Sequence, residues 1–164
     1  MSFRISIAID EVMNEAKKPA LDSPSYYLHR LVALLDRGAE KILQSQLGVS
    51  YRRCLFLVVI QERGPLTQHE LAVCLGYTDP AVSAMLVELS EDELVSISTS
   101  PEHKRKRIVT LSPRGTEIVT AARRILDEHF AELLDAAGVD SGHYGQLTER
   151  IFRTLLAKTG RPTR

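Results

Sequence analysis

The stretch from Thr67 to Leu89, TQHELAVCLGYTDPAVSAMLVEL, constrains the fold more than any other part of the chain. Thr67 with Glu70 three residues on has capping-box spacing, in which each side chain satisfies the other's backbone N–H. Leu71 and Leu75 stand i, i+4, and Gly76 supplies a left-handed stop. After a short turn, Tyr77 and Thr78, Asp79 is expected to cap a second helix with Pro80 at its first position. Val82, Met85, Leu86 and Leu89 give that helix one apolar stripe. Two short helices joined by a tight, glycine-containing turn form a helix-turn-helix pattern. Cys74, on the first of them, reads as core.

The flanking segments extend this unit into a mainly α chain with a small β-hairpin. Ser23 and Pro24 open a long helix with apolar residues at 28, 31, 35, 39 and 42, and GVS at 48–50 breaks it. From Cys54 to Ile60 the run CLFLVVI is apolar nearly all round, as in a central helix, and Gly64-Pro65 ends it. It is too short to span a bilayer. After Leu89, LVSISTS alternates and is β-branched, PEHK turns, and RKRIVTLS alternates again: a hairpin. Ser112-Pro113 repeats the cap-plus-proline start of a long helix reaching about Ala137. GVDSGHYG at 138–145 reads as an interruption. Leu147, Ile151, Phe152, Leu155 and Leu156 mark a last helix, and residues 159–164 read as a tail. Residues 1–22 read as an extension that packs on a partner.

At 164 residues with two cysteines, the chain is long enough for a real core and offers no disulfide framework. The cytoplasm is the expected location, and no signal peptide is legible. Nothing indicates an enzyme: GxSxG, phosphate-loop and HExxH motifs are missing, and His29, His69, His103, His129 and His143 are scattered. No cofactor and no metal site are implied; His69 has no second ligand at suitable spacing.

Three separated segments, RGPLTQHELAVCLG, AVSAMLVELSEDELV and PEHKRKRIVTLSPRG, resemble the MarR family of winged-helix transcriptional regulators in order and spacing. Leu111, Ser112 and Gly115 match that family's helix entry after the wing. The resemblance implies a winged helix-turn-helix at 51–112, with dimerisation helices at 23–50 and 113–158. It also implies a cytoplasmic homodimer on a palindromic operator, a repressor rather than an activator, and release by a small carboxylate or phenolic effector. Departures accompany it. Basic residues usual along the recognition helix are Asp79, Ala84, Glu88 and Glu91 here. A glycine usual before the wing strand is Glu93, and an aspartate usual near the wing tip is His103.

Charge is segregated although the whole chain is formally neutral: residues 63–95 carry net −5 and residues 101–124 net +5. Lysine and arginine gain affinity for duplex DNA by releasing counterions from phosphate. The wing residues His103, Lys104, Arg105, Lys106 and Arg107 are therefore the expected electrostatic footprint, with Arg105 suited to a narrow minor groove. Thr78, Asp79, Ala81, Ser83 and Ala84 are the expected base-facing residues of the recognition helix. Asp79 as cap would have its carboxylate tied to backbone N–H groups. Thr67, Gln68 and His69 are candidate phosphate contacts. Tyr51, Arg52, Arg53 and Arg63 flank the central helix and suit helix-end capping better than phosphate anchoring.

Tyr26, Tyr27, His29, Arg30, Arg37 and Phe56 are candidate lining residues for the effector pocket that the resemblance implies, with arginine suited to a carboxylate. Two alternative functions stand beside the regulator. The acids of the recognition helix suit a degenerate winged-helix dimer that binds a protein partner, and Cys54, after two arginines, suits a redox-sensing thiol.

Overall fold

A computed structural model describes residues 23–99 and 106–159. The chain divides into two compact units, Met1–Gly38 and Ala39–Arg164. Helix α1, Pro24–Leu47, crosses that boundary. In the first unit Tyr26 and Tyr27 meet edge to face at 5.9 Å, and Arg37 Nε donates to the Ala33 carbonyl at 3.1 Å. Leu28 and Val32 are about half exposed, at 54% and 47%.

The second unit holds α2 (Tyr51–Arg63), β1 (Leu66–Thr67), α3 (Gln68–Leu75), α4 (Asp79–Glu91), β2 (Val95–Thr99), β3 (Arg107–Leu111), α5 (Pro113–Ala136) and α6 (Ser141–Lys158). The hairpin β2–β3 pairs antiparallel, with Val95 opposite Leu111 and Thr99 opposite Arg107. Strand β1 joins the free edge of β3, Leu66 opposite Val109, giving the order β1-β3-β2. At two residues, β1 has no periodicity that a sequence could display.

Each helix start has a local cause. Ser50 accepts from Arg53 N, and Thr67 and Glu70 complete the capping box at α3. Ser112 accepts from Gly115 N at 2.9 Å with Pro113 following. The expected interruption at 138–145 is shorter than the sequence suggested. Asp140 accepts from His143 N at 2.6 Å, so α6 begins at Ser141 and takes Gly142 and Gly145 into its first turns.

The core is built where α2 meets α3, α4, the sheet and α5. Phe56, Leu57, Leu71, Val82, Leu89, Leu94, Val109 and Val119 are all fully enclosed. Burial of each such side chain contributes about 1.5–3 kcal/mol. The apolar run of α2 thus forms the centre of the unit. By contrast α6 buries nothing, and Leu147, Ile151, Phe152 and Leu155 stand 39–58% exposed.

Two backbone features fix the root of the wing. Glu93 has φ 57°, the left-handed region in which a side chain costs roughly 1–2 kcal/mol. Glycine accepts it freely, the physical reason a glycine suits this position. Glu93→Gly is expected to raise stability by about 0.5 kcal/mol after the entropy of the unfolded chain is subtracted; urea melts of both forms check it. Beside it, Ser112 N donates to the Leu94 carbonyl at 3.1 Å and Ser112 Oγ to the Glu93 carbonyl. Gly115 sits so close that a Cβ would overlap the Leu94 carbonyl oxygen and lie 3.0 Å from its carbon.

Candidate nucleic-acid interface

The axes of α3 and α4 differ by 110°, within the range of a helix-turn-helix. Gly76 (φ 70°) turns the chain between them. Thr78, not Asp79, is the N-cap of α4: its side chain accepts from Ala81 N. Asp79 is the first helical residue and Pro80 the second. Its carboxylate does not close on backbone N–H groups but faces His69 Nδ1, 3.3 Å from both oxygens. Gln68 Nε2 donates to the Asp79 carbonyl at 2.9 Å. The open end of the motif is therefore cross-tied by its own polar side chains. Glu70, accepting the backbone N–H and hydroxyl of Thr67, is held below the usual carboxylate range.

The buried stripe of α4 is Val82, Met85, Leu86 and Leu89, so Ser83, Ala84, Val87, Glu88, Ser90 and Glu91 face outward. Ala81 is half-buried. An open groove of about 210 Å³ runs along this outward face, lined by Ser83, Val87, Ser90 and Glu91 on one side and Arg107 of β3 on the other. Lys106 and Arg107 are exposed, and Lys106 lies near enough to Glu70 to help lower its pKa. His103, Lys104 and Arg105 lie outside the described residues, as do residues 1–22 and 160–164.

Val87, which the sequence reading left out of its recognition-helix set, also faces outward. It is 54% exposed, a valine half a turn away from the apolar stripe. That offset was legible, since 82, 85, 86 and 89 define a face that excludes 87.

The far end of α4 is bolted to α2. Arg53 donates to the Glu88 carbonyl at 3.2 Å and pairs with Asp92. One acid of the SEDEL run therefore neutralises an arginine, and Arg53 caps the end of a helix other than its own. Arg52 lies over the Tyr77 ring, 4.9 Å from its centroid, and Tyr77 stacks on Phe56 at 5.6 Å. Phe56 is fully enclosed and exposes no surface. Tyr51 N donates to Glu40 Oε2 at 2.7 Å. Tyr27, His29, Arg30 and Arg37 are exposed, and Tyr26 is partly so.

Of the two cysteines, Cys54 is buried as its place in the apolar central helix suggested, and Cys74 departs from the sequence reading. Cys74 is exposed and so is not core. Burial, with Glu40 nearby, pushes the Cys54 thiol from its ordinary value near 9 up to about 11, and Arg53 offsets little of this. A sensing thiolate needs the reverse. Below pH 9 the thiol is protonated folded and unfolded alike. Between pH 9 and about 11 the unfolded chain ionises first, so stability is expected to fall across that window. Iodoacetamide at pH 7.5 is expected to label Cys74 and spare Cys54 in the folded protein. Mass spectrometry of peptides reads this directly, and equal labelling of both would contradict the buried placement.

Comparison with known proteins places these features. A model of the MarR family matches residues 47–106. An uncharacterised helix-turn-helix-type transcriptional regulator of Staphylococcus aureus is 31% identical over 80 residues, 49% of this chain and 54% of the relative. The chain thus matches about half the length of such curated relatives. Among solved structures, wild-type MarR of Escherichia coli superposes with a TM-score of 0.70 at 19% identity, covering 82% of this chain and 98% of that one. MepR of S. aureus, described as a regulator of the multidrug efflux pump MepA, gives 0.63 at 21% identity over 82% and 98%. MepR bound to DNA gives 0.65 at 20% identity over 82% and 97%. At these identities the structures show a shared fold.

Proposed function

We propose that this chain, through its winged-helix module, is a MarR-family transcriptional regulator of the cytoplasm that binds a palindromic operator as a homodimer. The observation that carries this reading is exposed Arg107, at the start of β3 and next to exposed Lys106, facing the outward side of α4 across one open groove. The net +5 of residues 101–124 supplies the attraction for phosphate that α4 lacks. The homodimer is supported by α6, whose exposed Leu147, Ile151, Phe152 and Leu155 form the kind of apolar surface that a partner covers. Repression, and relief by a carboxylate or phenolic effector near Arg30 and Arg37, belong to the same proposal and rest on the resemblance. The binary split of residues into a reading module at 51–112 and dimer helices at 23–50 and 113–158 does so too.

Selection of bound duplexes from a random pool by the purified protein tests the reading. Enrichment of an inverted repeat is expected, with half-site centres about one helical turn apart; a pool that stays random overturns it. On the selected duplex, Lys106→Ala and Arg107→Ala are each expected to weaken binding uniformly across sequences. Each would reduce the slope of log affinity against log salt by about one. Ile151→Glu with Leu155→Glu is expected to give a monomer in sedimentation that no longer retains the duplex.

A further inference from the structure

Building on the regulator reading, we propose that α4 selects its operator by the 5-methyl groups of thymines, met in the major groove by Val87 and Ala84, rather than by hydrogen bonds to purines. Apart from the cytosine N4 amine, from which Glu88 or Glu91 can accept, the residue types leave little else. Bidentate recognition of guanine needs arginine or lysine, and of adenine asparagine or glutamine. The outward face of α4 has none of these: it offers Ser83, Ala84, Val87, Glu88, Ser90 and Glu91.

The polar groups at the start of the helix are already engaged. Thr78 caps α4, Asp79 faces His69, and Gln68 gives an N–H to the Asp79 carbonyl. Guanine presents only the acceptors N7 and O6 in the major groove, so Glu88 and Glu91 would oppose it. Thymine alone among the four bases presents an apolar group there.

Val87 fits that group by place as well as type. It is 54% exposed at mid-helix and lines the groove together with Ser83, one turn before it, and Arg107 opposite. Ala84, also exposed, stands three residues before Val87 on the same side. Arg107 is then positioned to hold phosphate beside the read bases, so that attraction and discrimination come from different elements. A serine hydroxyl at 83 can accept from or donate to either purine partner and adds little selectivity.

The test uses the full-length protein and the duplex recovered by selection, resynthesised with deoxyuridine in place of thymidine one position at a time. Uracil pairs as thymine does and lacks only the methyl. Selected half-sites are expected to be led by thymine, and uracil at a contacted position to weaken binding about four-fold, as burial of one methyl implies. Val87→Ala is expected to bind the thymine duplex more weakly and the uracil duplex equally, collapsing the thymine-to-uracil ratio toward one. That ratio would not move if Val87 were merely structural. An enriched site in which uracil binds as well as thymine, or one led by guanine, overturns the methyl reading and leaves the regulator standing. A pool with no enrichment overturns both.

Discussion

Gly115→Ala is expected to destabilise the protein by about 3 kcal/mol, the upper range of overpacking effects. The added methyl would overlap the carbonyl oxygen of Leu94, a backbone atom that cannot swing aside as a long side chain can. Moving that carbonyl would break its bond from Ser112 N and pull on the Ser112 cap of α5. Gly145→Ala provides the contrast. It lies within α6, and a Cβ there meets nothing within 4 Å. In that position alanine is expected to add about 0.5–1 kcal/mol through helix propensity. Urea unfolding midpoints should therefore move in opposite directions. Equal shifts would mean that the Leu94 contact does not govern Gly115.

Phe56→Ala is expected to cost about 3–5 kcal/mol, the usual loss for a large aromatic removed from a closed core. Phe56 has no exposed surface, and one of its faces supports Tyr77 at the turn of the motif. The effect should therefore reach beyond stability. Tyr77, with Arg52 on its exposed side, would lose its backing, and the turn between α3 and α4 would loosen. A double-mutant cycle with Tyr77→Ala is expected to return a coupling of about 0.5–1.5 kcal/mol, the value of a favourable ring pair. Near-zero coupling would assign the whole loss to the cavity.

The parts legible in the sequence were those set by neighbours in the chain. Thr67 with Glu70, Gly76, and Ser112 with Pro113 each act within four residues, and all fall where expected. Errors arose where distant partners decide. Thr78 and Asp79 are both capable caps before a proline; Asp79 turns to His69, ten residues back, and Thr78 takes the cap. Cys74 lies two residues past buried Ala72, about 200° round the helix, and so faces out. GVDSGHYG looks like a loop because its glycines disfavour helix, yet the Asp140 cap starts α6 within it.

The basic character of the wing could be read directly, whereas the tie from Arg53 to Glu88 and Asp92 could not, because it joins residues 35 and 39 apart in the chain. Likewise Glu93 was noticeable as an unusual residue, but only its φ of 57° explains what the backbone asks of that position.

The close seating of Gly115 on Leu94 has a mechanical meaning. With no room for slip at that seam, α5 and the base of the hairpin form a single rigid arm. Its 24 residues give an arm of about 36 Å. A tilt of roughly 6° at the distal end then sweeps the hairpin root through about 4 Å, given a rise of 1.5 Å per residue. Small rotations far from the groove are thus geared up into displacements comparable to the spacing between base pairs.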